Sequence, residues 1–135
     1  MDLVAVSDVE ESLARFGSRY IERVYTRAES APARENTRAI RLAALFAAKE
    51  ATFKVLEAFG DAIGWTNIEI DICARNGPSV KLHGAAAAAA QRAGIDTVDV
   101  SIAQCDGYAA AIALASGGAA RCPETGGFVA ERPNT

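Results

Sequence analysis

The chain has 135 residues, half of them apolar, and 14 basic against 17 acidic side chains leave a net charge of −3. That is enough for one domain with a closed hydrophobic core. No apolar run approaches the ~18 residues of a membrane span, no basic segment followed by an apolar one opens the chain, and the acidic balance argues against a nucleic-acid binder. Three widely spaced cysteines (Cys73, Cys105, Cys122) include no C-x-x-C pair, which fits reduced thiols in a cytoplasm better than disulfides or a zinc site. The single histidine, His83, cannot supply a histidine-based metal cluster. Any metal ligands are therefore carboxylates, which favours a hard ion such as magnesium.

Met1 to Val6 reads as a short strand. Ser7-Asp8-Val9-Glu10 has the S-x-x-E spacing of a capping box and predicts a helix from Asp8 to about Val24, broken or kinked at Phe16-Gly17-Ser18. Arg15, Arg19, Arg23 and Arg27 recur every fourth residue. They form a ladder on one side of a continuous helix, and the last three still do so if Gly17 breaks it. Such a stripe serves solubility, or, being arginine without lysine, recognition of carboxylate or phosphate. Between Arg15 and Arg41 seven arginines face three acids (Glu22, Glu29, Glu35). This local excess suggests an acidic partner docking on one region.

Thr26-Arg27-Ala28-Glu29 is a second capping box, announcing a short helix that Ser30-Ala31-Pro32 interrupts or restarts. Asn36-Thr37 can cap a long helix ending near Phe59-Gly60, with the glycine as its stop signal. Leu42, Leu45, Phe46, Phe53 and Leu56 make its apolar face, and Ala47, Ala48 and Ala51 let another element approach closely. Glu50, Lys54 and Glu57 line one side beside that face. A carboxylate there is placed to hold a cation, and a lysine one turn on to meet a phosphate. The plainer alternative is a solvated Glu–Lys pair.

Trp65 follows in a loop as a core or interface aromatic. Ile68, Ile70 and Ile72 alternate with polar residues as a half-buried strand, and Arg75-Asn76-Gly77-Pro78 has the chemistry of a tight hairpin. Ser79 to His83 return as a strand, Ala85 to Ala93 form a helix ended by Gly94, and Thr97 to Ile102 alternate as a third strand. Asp106-Gly107 turns the chain into a fourth, Tyr108 to Leu114, whose apolar continuity suggests burial on both faces. Helices first and an antiparallel sheet afterwards make the class α+β, with a domain over residues 1–115 and a polar, glycine-rich tail over 116–135 expected to be mobile and dispensable. His83 reads as a rim residue, and Cys105 as incidental.

Several segments in this order resemble the holo-(acyl carrier protein) synthase family of 4′-phosphopantetheinyl transferases. Asp2-Leu3-Val4 is similar to the aspartate of its G-x-G-x-D-[IVL] opening. Phe16-Gly17 with Ile21 to Glu29 resembles its R-F-x-x-R-[IVL]-[FL]-T-x-x-E segment. Phe46-Ala47-Ala48-Lys49-Glu50-Ala51 with Lys54 matches its most diagnostic motif, R-[FW]-A-[AV]-K-E-A-x-x-K, after the first position. Trp65 to Ile70 resembles W-x-[DN]-[IV]-E-[IV]; Asn76 to Gly84 resembles G-[KR]-P-x-[IVL]-x-L-x-G; Val100-Ser101-Ile102 resembles the start of V-S-[IL]-[ST]-H.

The resemblance implies magnesium-dependent transfer of 4′-phosphopantetheine from coenzyme A to a serine of an apo acyl carrier protein, releasing adenosine 3′,5′-bisphosphate. It makes Asp2 and Glu50 the magnesium ligands and Lys54 the phosphate contact. Glu50 becomes the group that takes the serine proton, directly or through water. It sets Asn76, Gly77 and Pro78 at the adenosine end, makes Gln104 a further coenzyme A contact, and turns Arg19, with Arg15 and Arg23, towards an acidic carrier helix. It also implies a homotrimer with active sites between subunits. The chain departs from the family pattern at three places: only Met1 precedes the aspartate, Leu45 stands for an arginine, and Gln104 for a histidine. Asp8 further replaces an arginine usual in the first helix. These departures motivate the alternative of a non-catalytic member that binds a carrier or other partner without transfer.

Overall fold

Among the described residues four α-helices and five strands follow one another: β1 (Asp2–Ala5), α1 (Val6–Phe16), α2 (Ser18–Val24), α3 (Arg38–Leu56), β2 (Ile68–Asp71), β3 (Ser79–Leu82), α4 (Gly84–Ala93), β4 (Thr97–Cys105) and β5 (Tyr108–Ser116). This is a computed structural model, and it describes residues 1–31, 34–60 and 62–118. Most of the expected tail, with Cys122, lies outside the described residues. The strands form one antiparallel sheet in the order β1-β5-β4-β3-β2, so the class is α+β as the pattern predicts. The two longest strands, β4 and β5, pair along their whole length, whereas β3 and β4 share a single paired position, Ser79 with Asp99. The sheet splays there. Helix α3 lies across its inner face, and the core is made of Leu42, Leu45 and Leu56 from the helix against Val4, Ile68, Ile70, Val100, Ala109 and Ala111 from the strands.

Helix α1 begins at Val6 rather than Asp8, and the Ser7 box does not form. Strand β1 runs straight into the helix, and the Val6 N–H donates to Gly107 O in the β4–β5 turn at 2.8 Å. That partner satisfies one of the free donors of the first turn without a side-chain cap. The break at Gly17 occurs as expected, in a left-handed conformation (φ 56°) open to glycine. It leaves only Arg19 and Arg23 together on α2, because Arg27 lies in the following turn.

The second capping box forms in full: Thr26 N–H donates to Glu29 Oε2 at 2.7 Å, and Glu29 N–H to Thr26 Oγ1 at 3.3 Å. It closes a single turn over residues 27–30, and the short helix expected from it does not form among the described residues. Thr37 does not cap α3 by its side chain; its hydroxyl donates to Arg34 O within a 3₁₀ turn over Glu35–Thr37. At the other end α3 passes through a 3₁₀ turn (Glu57–Phe59) to Gly60, which is extended (φ −154°) and not a left-handed stop. A Cβ at Gly60 would come within 2.6 Å of Ala89 Cβ on α4, so glycine is required there by close packing.

The β2–β3 connection is a seven-residue loop, residues 72–78, and only Gly77 in it has a positive φ (96°). It is not the two-residue hairpin that Asn-Gly suggests. By contrast Asp106 (φ 49°) and Gly107 (φ 80°) supply the paired left-handed conformations of a tight turn between β4 and β5. Strand β5 is not buried on both faces in a single chain. Ala109 and Ala111 are buried against α3, while Tyr108, Ile112 and Leu114 point to the opposite, exposed face. Small residues face the helix because α3 lies close upon them.

One charged pair sits inside this core. Lys49 and Glu29 are both fully buried, with Nζ 2.8 Å from Glu29 Oε2. Lys49 also donates to Trp65 O at 2.9 Å and to Ile68 O, so its three protons meet three acceptors. Glu29 Oε1 accepts from Ile70 N–H at 2.7 Å. Burial pulls the Lys49 ammonium below the usual lysine range, and Glu29 opposes that shift. The network stitches the turn after α2, helix α3 and strand β2 together. Replacing Lys49 by methionine keeps the volume but strands a buried carboxylate. Urea unfolding of Lys49→Met is expected to show a loss of about 3–5 kcal/mol, the cost typical of breaking a buried pair by removing one partner.

Candidate active site

Edge strand β1 and helix α3 bring three of the predicted residues together. Pairing of Asp2 with Ala111, Leu3 with Ala110 and Val4 with Ala109 fixes the register of β1, so Asp2 belongs to a hydrogen-bonded strand. Its side chain faces α3, where Glu50 and Lys54 are one turn apart. Lys54 Nζ is 2.7 Å from Asp2 Oδ1 and 3.3 Å from Met1 O. The other oxygen, Asp2 Oδ2, is buried and has no hydrogen-bond partner among the described residues.

The electrostatics of the trio are unbalanced. Burial pushes the Glu50 carboxyl up, the adjacent Asp2 pushes it further, and Lys54 pulls it back, leaving it at about 7. For Asp2, burial again acts upwards, but its contacts with Glu50 and Lys54 prevail and hold it below the ordinary value. Two carboxyl groups this close cannot both ionise cheaply without a positive charge between them. They share a proton or take a cation. A buried, unpartnered carboxylate oxygen beside a second carboxyl group fits a hard divalent ion. Magnesium is commonly held by just one or two protein carboxylates, with waters and substrate phosphates completing its shell.

The other predicted site residues do not join this trio within one chain. Asn76, Gly77 and Pro78 line an open cavity of about 830 Å³ where the sheet splays, walled by Val80, Ala90 and Ile95. Gln104 is exposed on the inner-face row Val4–Ala109–Gln104, two strands from β1 and one row beyond Asp2. The loop and Gln104 thus stand at opposite ends of β4, roughly 15 Å apart at the usual strand rise. Arg15, Arg19 and Arg23 are all exposed, with the Arg15 guanidinium 5.2 Å from the centre of the half-exposed Phe16 ring. Leu45 is fully buried in the core.

Two features escaped the sequence. A cavity of about 310 Å³ lies beside Glu50, lined by Leu3, Val9, Ser12, Tyr20 and Phe46. Tyr20 there bonds the Tyr25 hydroxyl at 2.9 Å, and Tyr25 in turn donates to Leu42 O. No spacing in the sequence marks this tyrosine pair. The Lys49–Glu29 network did leave a signal: Lys49 falls within the i, i+4, i+7 row Leu45, Lys49, Thr52, Leu56, a lysine where an apolar side chain is expected.

The architecture and the site can be set beside known proteins. A family model described as the 4′-phosphopantetheinyl transferase superfamily matches residues 1–113, so the chain belongs to that class of enzyme. A holo-[acyl-carrier-protein] synthase of Solidesulfovibrio magneticus is 37% identical over 118 residues, spanning 87% of this chain and 95% of its own. The holo-ACP-synthase structure from Plasmodium yoelii superposes with a TM-score of 0.75 at 28% identity, covering 87% of this chain and 92% of the other. The Helicobacter pylori holo-[acyl-carrier-protein] synthase in complex with coenzyme A gives 0.71 at 25% identity, covering 85% and 96%. Within the superfamily the chain belongs to the holo-(acyl carrier protein) synthases.

The carboxyl pair makes a pH-dependent prediction. Glu50 is raised from 4.5 to about 7 in the fold, so its protonated form is the one the fold favours. Its contribution to stability is present below pH ~4.5 and is lost as pH rises through about 7. In chelator-treated protein, thermal melting is expected to show this loss between pH 5 and 8. Magnesium should restore the melting temperature at pH 8 and have little effect at pH 5, where the proton competes for Glu50. In Glu50→Gln both effects should disappear.

Proposed function

We propose that this chain transfers 4′-phosphopantetheine from coenzyme A to a serine hydroxyl of an apo acyl carrier protein, with magnesium held by Asp2 and Glu50. The observation that carries this reading is the juxtaposition of Asp2, Glu50 and Lys54, with Asp2 Oδ2 buried and unpartnered. The family membership and the coenzyme A complex of the Helicobacter pylori relative support it.

The serine oxygen attacks the phosphorus that carries the pantetheine arm. The bond from that phosphorus to the bridging diphosphate oxygen breaks, and adenosine 3′,5′-bisphosphate leaves with the electron pair. When bound, magnesium supplies charge neutralisation for the diphosphate oxygens. Glu50 takes the serine proton, directly or through a water. Lys54, with its half-exposed ammonium, stabilises the charge that develops on the leaving oxygen. Arg15 at the end of α1 and Arg19 and Arg23 on α2, all exposed, steer an acidic carrier surface into register.

Asn76, Gly77 and Pro78 contact the adenosine end, and Gln104 another part of coenzyme A, in a site shared with a neighbouring copy of a homotrimer. Their distance from Asp2 within one chain supports this arrangement. So does the outer sheet face, where Leu3, Tyr108, Ile112 and Leu114 are each at least 49% exposed. An apolar face of that kind suits burial against another copy.

Incubation with coenzyme A, magnesium and a set of apo carrier proteins should add the phosphopantetheine mass to at least one carrier. Glu50→Ala should abolish the addition, and undiminished transfer would remove Glu50 from the mechanism. A carrier that co-purifies without modification would favour a binding module. The assembly is checked separately. Ile112→Glu is expected to convert a trimer to monomers by sedimentation and to lose transfer by at least tenfold, while keeping the helical signal of the folded chain. A wild type that sediments as a monomer and is fully active would sink the shared-site arrangement.

A further inference from the structure

We propose that Lys54 is a built-in counter-ion of the carboxyl pair: its ammonium occupies Asp2 in the free protein and is displaced towards the co-substrate diphosphate when a divalent cation binds. This rests on the reading of Asp2 and Glu50 as the cation site. Asp2 is only 12% exposed and would be costly to leave as an isolated negative charge, and Lys54 supplies the positive one at 2.7 Å. The same lysine reaches Met1 O at 3.3 Å, so it also ties down the start of β1.

The contact cannot persist unchanged once a cation arrives. A hard ion sits about 2.1 Å from its carboxylate oxygens, so an ammonium on the same carboxylate would be held within roughly 5 Å of a second positive charge. Lys54 can yield, because its side chain is 53% exposed and sits on a flexible four-carbon stem. The charged groups around it are Glu50 on its own helix, Glu57 in the 3₁₀ turn that follows, and Asp2 on β1. None offers a new partner as good as a diphosphate. The cation therefore frees the lysine, and the diphosphate captures it. Cation and coenzyme A should bind with positive coupling carried through this one side chain, reciprocal by thermodynamic necessity.

The test is direct cation binding without coenzyme A, using manganese as the spectroscopic probe for the magnesium site. Lys54→Met is expected to bind it about two- to fivefold more tightly than wild type at low salt, as suits an exposed pair, with the gap closing at high salt. Lys54→Arg, which keeps the charge, should match wild type. In wild-type protein labelled with ¹³C-lysine, the Lys54 Cε signal should move when magnesium is added alone. Equal or weaker manganese binding by a folded Lys54→Met, or an unmoved Cε signal, would overturn the proposal while leaving the transfer reading intact. If wild type binds no divalent ion even with coenzyme A, the cation-site reading itself falls and takes this inference with it.

Discussion

The buried ion pair between Glu29 and Lys49 sets the geometry on which the rest of the molecule depends. A lysine and a glutamate withdrawn from water are costly unless every donor and acceptor is matched. Here Lys49 meets Glu29, Trp65 O and Ile68 O, and Glu29 also receives Thr26 N–H and Ile70 N–H. The match works for only one rotation of α3 about its axis. The next residue, Glu50, is then turned by about 100° and faces β1. A structural pair on one side of the helix thereby aims a chemical group on the other.

Opposite Glu50, the edge strand contributes Asp2 through its pairing with β5. The two carboxyl groups are thus supplied by elements distant in sequence and fixed by different forces, a backbone ladder for one and side-chain packing for the other. Their mutual repulsion is only partly relieved by Lys54. The site is a local electrostatic imbalance inside a satisfied scaffold, as is common where stability is traded for function.

Burial of Glu29 also changes the meaning of the charge pattern around it. Counted along the sequence, it offsets one of the arginines between Arg15 and Arg41. In the fold it is consumed by Lys49, which leaves the exposed arginines of α1, α2 and the following turn less compensated than the sequence count suggests. The positive charge of these side chains is correspondingly less offset, which suits the steering role proposed for them.

Local signals in the sequence determined the α+β class, the period-3.6 stripe of α3, the break at Gly17, the alternating strand Ile68–Asp71 and the motif holding Lys49, Glu50 and Lys54. Each depends on neighbours within a few positions, where backbone sterics and side-chain period act directly. Only the tertiary structure decided where α1 starts, because the satisfying partner of Val6 N–H lies a hundred residues away at Gly107. It also decided why Gly60 is glycine, which face of β5 is covered, that Glu29 and Lys49 are partners, and that the 76–78 loop stands apart from Asp2. Those outcomes are set by contacts between elements far apart in the chain, and no local spacing encodes them.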